Sequence, residues 1–284
     1  DHICDPFAGS CGFLLEAYNY LKDKAGENVA RTLYFYGQEI NLGTFAIAKI
    51  NMFLHGLDAA DIRRGDTLSN PQFLDDFGAL KKFDITVTNF PYSMKVWPHE
   101  IFNTNKYGRL EGYDMPPTGK ADYACILHII KSMNQNGRAG VVVPHGVLFR
   151  GGSEERIREQ IIKNDIIDAI ISLPSKLFYG AGIPAAIFIF NKNKPENKKG
   201  KILFIEAEKD YLEGKNQNTL RAQDIDKIVK AYDNYKNIEK FARVVDIKEI
   251  EENEFNLNVR RYIDSAGEEE VIDIKKVLVE LNNL

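Results

Sequence analysis

The chain has 284 residues, 44% of them hydrophobic and 27% charged, with a formal net charge of −4. This composition supports a large buried core and excludes a disordered chain, while no apolar run approaches the ~20 residues that span a bilayer. No leader of charged, apolar and small residues precedes the first strand, so the cytoplasm is the expected compartment, and the acidic balance argues against unaided grip on a nucleic-acid backbone.

Along the chain, strand-like and helix-like stretches alternate. "HICD" (2–5), "TLYFYGQE" (32–39), "IRRGD" (62–66), "FDITVTN" (83–89), "GRAGVVVP" (137–144), "IIDAIISL" (166–173) and "AAIFIFN" (185–191) read as strands. "FLLEAYNYLKDK", "TFAIAKINMFLHG", "DYACILHIIKSM" and "EERIREQIIKN" repeat apolar residues at helical spacing, and His55–Gly56 gives the second a stop. Strands alternating with helices predict a parallel sheet covered on both faces. Only "PSKLFYGAGIP" separates the last two of these strands, too short for a helical crossover, so the seventh is expected to run antiparallel to the other six.

Residues 1–200 therefore read as one α/β core. Beyond it, "KILFIEAEK" reads as a further strand, and "LRAQDIDKIVKAYDNY" and "EEEVIDIKKVLVELNNL" read as amphipathic helices. This 201–284 extension is expected to pack on the core or on a partner subunit. Cys4, Cys11 and Cys125 have neither disulfide-framework nor zinc spacing, and the five histidines are scattered, so no metal site is expected. The lysine-rich "NKNKPENKKGK" reads as a solvated loop.

In an open parallel sheet, ligands sit beyond the carboxyl ends of the strands. Four such ends stand out. "DPFAGSCGF" places Asp5 before a turn whose Gly9 and Gly12 allow close backbone approach. Glu39 closes the second strand, where a carboxylate can accept both hydroxyls of a ribose, or else cap the next helix. Asp66 ends the third; it can accept from an adenine amino group, or simply close an Asx-turn. "TNFPYSM" follows the fourth, and an Asn, a Pro and an aromatic ring there make either a tight turn or a site for a planar substrate.

The ordered set "DPFAGSCGFL", "GQEINLGTFAIAKINMFLHG", "IRRGDTL", "FDITVTNFPYS", "GRAGVVVPHGVLFRGGSEERIREQII", "LPSKLF", "GIPAAIFIFNK" and "NLNVRRYI" resembles the modification subunit of Type I restriction-modification systems, from Asp1 to about Tyr262. The resemblance implies a Rossmann-like methyltransferase fold, a seven-stranded mostly parallel sheet with one antiparallel strand and a C-terminal helical extension. It implies transfer of a methyl group from S-adenosylmethionine to the N6 atom of adenine in DNA. DNA and a specificity subunit are then the implied partners, and a restriction subunit is a further one left open. Cofactor contacts are carried over to Asp5, Pro6, Phe7, Ala8 and Gly9, with Glu39 for the ribose and Asp66 for the cofactor's adenine.

Asn89, Phe90, Pro91 and Tyr92 match the family's Asn-Pro-Pro-aromatic tetrapeptide. The resemblance implies that the Asn89 oxygen and a carbonyl of Phe90–Pro91 accept the hydrogens of the adenine amino group, while Tyr92 stacks on a base turned out of the duplex. Two positions depart from the pattern: Cys11 replaces a glycine and adds a Cβ expected beside the cofactor, and Phe90 replaces the first proline. The chain also starts at the first strand of the sheet, without the family's N-terminal helical domain, and so reads as a fragment of a longer subunit. A protein-glutamine methyltransferase, a stand-alone DNA methyltransferase and a catalytically idle scaffold that binds nucleotide or partner stay open as alternatives.

Overall fold

The computed structural model describes residues 1–178 and 184–263. Nine strands form one sheet: β1 (His2–Asp5), β2 (Tyr34–Glu39), β3 (Asp61–Arg64), β4 (Phe83–Asn89), β5 (Met133–Pro144), β6 (Ile167–Ser172), β7 (Ala185–Asn191), β8 (Lys201–Glu206) and β9 (Ala242–Asp246). The helices are α1 (Gly12–Ala25), α2 (Glu27–Ala30), α3 (Leu42–Leu54), α4 (His99–Asn103), α5 (Asp122–Ser132), α6 (Ser153–Lys163), α7 (Ala222–Asn234) and α8 (Ile247–Glu252). The C-terminal helix expected from "EEEVIDIKKVLVELNNL" lies outside the described residues.

Spatial order across the sheet is β3-β2-β1-β4-β5-β7-β6-β8-β9. The first six strands in chain order run parallel, and β7 is antiparallel to both its neighbours, β5 and β6. The seven strands expected from the sequence are thus present, and two more extend the sheet. Strand β8 pairs parallel to β6 and β9 antiparallel to β8, so the sheet runs without a break across residue 200. The strand and helix read beyond that point pack on the core.

Helix boundaries follow local chemistry. The Asn41 side chain caps α3 by accepting from Thr44 N at 3.0 Å, and Gly56, at φ 71°, lets the chain leave that helix. Helix α7 is opened by Arg221 and Asp224, whose carboxylate accepts from the Arg221 backbone and side chain. Helix α5 is the most enclosed, with every residue but Lys131 buried. It shares the largest apolar cluster with α6, β5 and β7, while α1 and α3 pack on β1 and β2 in a second. Strand β6 is buried on both faces, Ile170 toward α5 and α6, Ala169 and Ile171 toward α7.

The lysine-rich turn between β7 and β8 is largely exposed, as a solvated loop would be, but Lys194 departs from that expectation. Lys194 is buried, and its ammonium donates to Asp165 Oδ1 (2.6 Å), Ile167 O (3.0 Å) and Lys201 O (2.6 Å), which uses all three of its hydrogens. A lysine can be enclosed at that cost only because each donor finds an acceptor.

Candidate active site

The turns that follow β1, β2, β3 and β4 meet at one edge of the sheet and enclose a cavity of about 390 Å³. Pro6, Phe7, Gly9, Glu39, Asp66 and all four residues Asn89–Tyr92 line it. Sequence separation of more than eighty residues is bridged by parallel pairing, β1 lying between β2 and β4. Two of the expected site residues, Asp5 and Ala8, stand behind the wall instead.

Asp5 is 1% exposed, and its Oδ1 accepts from Thr88 Oγ1 at 2.6 Å and from Phe7 N at 3.0 Å. The carboxylate thus ties the first turn to the end of β4. Burial, opposed by those two bonds, pushes its pKa from the ordinary 3.8 up to about 7, with the Glu39 charge adding to the rise. Ala8 is also buried, and its N–H donates to Gln38 O at 2.8 Å.

Gly9 adopts φ 52°, and a Cβ built there meets nothing within 4 Å because the position faces open space. Its N–H donates to Glu39 Oε2 (3.0 Å), while Glu39 Oε1 accepts from Asn41 N (2.7 Å). Glu39 therefore joins the first turn to the start of α3, and each of its oxygens keeps acceptor capacity toward the cavity. Asp66 closes the Asx-turn through Leu68 N (2.9 Å) and also accepts from Ser69 Oγ (2.8 Å).

Cys11 departs from the expectation of a Cβ beside a ligand. It takes the left-handed backbone a glycine would favour, φ 66°, but it is fully buried and packs with Ile3, Ala8 and Leu14 on the side away from the cavity. Burial pushes its thiol up to about 12, so it behaves as a small apolar side chain. Phe90 is likewise fixed: 1% exposed, it packs edge-on against Phe7 (centroids 6.0 Å apart) and Tyr92 (6.3 Å), and forms part of the cavity floor.

Tyr92 is half-buried, with its ring on the cavity wall. Its phenolic oxygen makes no hydrogen bond of good geometry among the described residues. Burial pushes the phenol up to about 12, offset in part by the adjacent Asn89 side chain.

Several residues of the site were not singled out from the sequence. Gln38 accepts from Gln72 N (2.9 Å) and donates to Asn70 O (3.1 Å), bracing the loop that carries Asp66. Thr67 Oγ1 donates to Pro6 O at 2.5 Å, tying the first turn to the third. Met94 and Phe178 complete the apolar wall. The signal for Phe178 was "LPSKLF" between strands, whereas Gln38 and Thr67 carried none beyond ordinary strand-end polarity.

Comparison with known proteins supplies the family. The profile of the family described as N-6 DNA Methylase matches residues 1–271. The chain belongs to this family. Two curated relatives of this chain come from Methanocaldococcus jannaschii: the Type I restriction enzyme MjaVIII methylase subunit, 40% identical, and its MjaVII counterpart, 38% identical. Each alignment covers 99% of this chain and 49% of the relative, so the chain spans about half the length of these curated relatives. Among solved structures, the methyltransferase subunit of a type I restriction-modification system from Streptococcus thermophilus superposes with a TM-score of 0.83 at 34% identity, over 92% of this chain and 54% of that one.

Proposed function

We propose that this methylase chain is the catalytic core of a Type I modification subunit, which transfers a methyl group from S-adenosylmethionine to N6 of adenine in DNA. The observation that carries this reading is the convergence of Asn89–Tyr92 with Glu39, Asp66 and the Gly9 turn on one cavity. The residues present fit the cofactor: open space over Gly9, a carboxylate at the end of β2 with spare acceptor capacity, and a second carboxylate after β3. Pro6, Phe7 and Gly9 would hold its methionine portion, Glu39 its ribose hydroxyls and Asp66 its adenine amino group. Asp5 and Ala8 would act from behind, by fixing the turn. Bound S-adenosylmethionine supplies an electrophilic methyl group.

What this chain contributes is orientation and electrostatics. The Asn89 side-chain oxygen and a carbonyl of Phe90–Pro91 would accept the two hydrogens of the target amino group and aim its lone pair. As that nitrogen turns more positive, carbonyl dipoles already pointed at its hydrogens favour the charged state over the neutral one. The proton can pass to solvent after the bond has formed, so no strong base is required. Tyr92 presents a ring face to a base removed from the duplex, which must be unstacked to be reached.

The acidic balance of the chain, −4, supports a partner that supplies most of the DNA grip and selects the sequence, which in this reading is the specificity subunit, with a restriction subunit as an additional partner. Among the described residues no helix is long and apolar enough to cross a membrane, and we place the enzyme in the cytoplasm. The test is transfer of a radiolabelled methyl group by the full-length subunit with its specificity partner. Label on adenine N6 of DNA is the expected result, and intact cofactor binding without labelled adenine overturns the reading.

A further inference from the structure

The segment "PHGVLFRGGSEERIR" takes no part in the cavity wall, yet it reaches the turn that holds Tyr92. Ser93, directly after Tyr92, has φ 51°, a conformation costly for a residue with a Cβ. Its N–H donates to Asp122 Oδ1 at 2.6 Å and its hydroxyl to Asp122 Oδ2 at 3.3 Å. One residue on, Met94 O accepts from Ala121 N at 3.2 Å. The turn is thereby fastened to the first residues of α5, the most enclosed helix of the fold.

Asp122 is fully buried, and its charge is met by the guanidinium of Arg150, whose Nη2 donates to Oδ2. The Arg150 Nε donates to Glu154 Oε2 at 2.6 Å, so one arginine serves two buried carboxylates. Its own backbone is fixed in turn, since Arg158 Nη1 donates to Arg150 O at 2.8 Å. A Cβ at Gly146 would stand 3.1 Å from the Arg150 Nη1, so glycine at that position leaves the guanidinium its space. Four residues of the segment, Gly146, Arg150, Glu154 and Arg158, thus bear on the seating of a single cation against Asp122.

We infer that Asp122, held by Arg150, is a positioning residue that latches the Ser93 turn and so sets the pose of Tyr92 and of the Phe90–Pro91 carbonyls toward a target base. This rests on the reading proposed above. Asp122 touches no reacting atom. Without its latch, the turn relaxes out of the left-handed backbone, and the two acceptors and the ring face lose their common orientation.

The test uses the full-length subunit with its specificity partner and two duplexes, one with adenine at the target position for kcat and one with 2-aminopurine there for emission. Asp122→Asn keeps an oxygen for Ser93 N but loses the charge that pairs with Arg150. The expected result is a kcat at least tenfold lower with cofactor affinity within twofold of wild type, and a 2-aminopurine emission rise less than half that of wild type. Arg150→Lys, which cannot bridge both carboxylates with one planar fork, is expected to show the same signature to a smaller degree. In the wild-type protein, the Ser93 amide is expected to exchange with solvent at least a hundredfold more slowly than an open turn, a readout independent of either variant's folding. Wild-type kcat and emission in folded Asp122→Asn, or rapid exchange at Ser93, overturns the latch while leaving the methyltransferase reading intact. A wild-type complex that neither labels adenine nor changes 2-aminopurine emission overturns both.

Discussion

The turns after β1 and β4 solve the same steric problem by different means. Each carries a non-glycine residue in left-handed backbone, Cys11 at φ 66° and Ser93 at φ 51°. Such a conformation costs a residue with a Cβ on the order of 1–2 kcal/mol. In the first turn the side chain faces inward and apolar packing holds it. In the second, hydrogen bonds to a buried carboxylate hold it. On the proposed reading the first turn cradles a cofactor, and there packing around Cys11 adds to the bonds made by Asp5, Glu39 and Thr67. On the same reading the second turn clamps an entering base, and its directed acceptors are fixed by directed bonds.

The largest expected effect lies in the second turn. Asn89→Ala should lower methyl transfer by at least about 10²–10³-fold, the usual loss when one preorganised electrostatic group is removed, while calorimetry finds cofactor affinity nearly unchanged. Equal loss of cofactor binding would erase the division of labour between the turns.

For the first turn the informative change is Asp5→Asn, which keeps the Oδ1 acceptor for Thr88 and Phe7. Because the folded-state pKa of Asp5 is raised from 3.8 to about 7, the native protein holds a proton the unfolded chain releases, and wild-type stability should fall as pH rises between those values. The variant lacks that dependence. Its denaturant midpoint should match wild type near pH 4 and exceed it increasingly up to about pH 7, and parallel curves across the window would contradict the burial argument.

Tyr92→Ala should weaken engagement of the extruded base by ~1–3 kcal/mol, measured as a rise in KM for DNA. Tyr92→Phe should leave it nearly unchanged, because the ring face on the cavity wall is kept. The smallest effect is expected at Cys11. Cys11→Gly relieves the left-handed backbone but gives up a buried side chain, so the thermal midpoint should move little, by the equivalent of ~1 kcal/mol at most.

The sheet was legible because its strands are apolar runs punctuated by turn residues, and the reversed β7 followed from a connection too short to cross over. Strand β9 was missed: "ARVVD" is short, lies at the sheet edge and shows no sustained alternation. At the site, one-residue signals at strand ends located the cavity, since strand ends share an edge whatever the loops do. They could not say which way a side chain faces. Asp5 and Cys11 turned from the expected ligand side to the interior, and Lys194 left solvent for three internal acceptors. Asp122 was not singled out, because its partners are 29 and 28 residues away and no local pattern joins them.

The position of β7 also sets an order of events during synthesis. Strands β5 and β6 emerge first, yet in the finished sheet they never touch, since β7 lies between them and pairs with both. Until residue 191 is made, two strongly apolar edges must be kept one strand-width apart, and direct pairing between them is the competing product. The half of the sheet that carries the cavity residues can pair in chain order up to β5, whereas the other half must wait for its last inserted strand. Slowing translation just after β6 should therefore raise the yield of misassembled chains more than the same pause placed after β4.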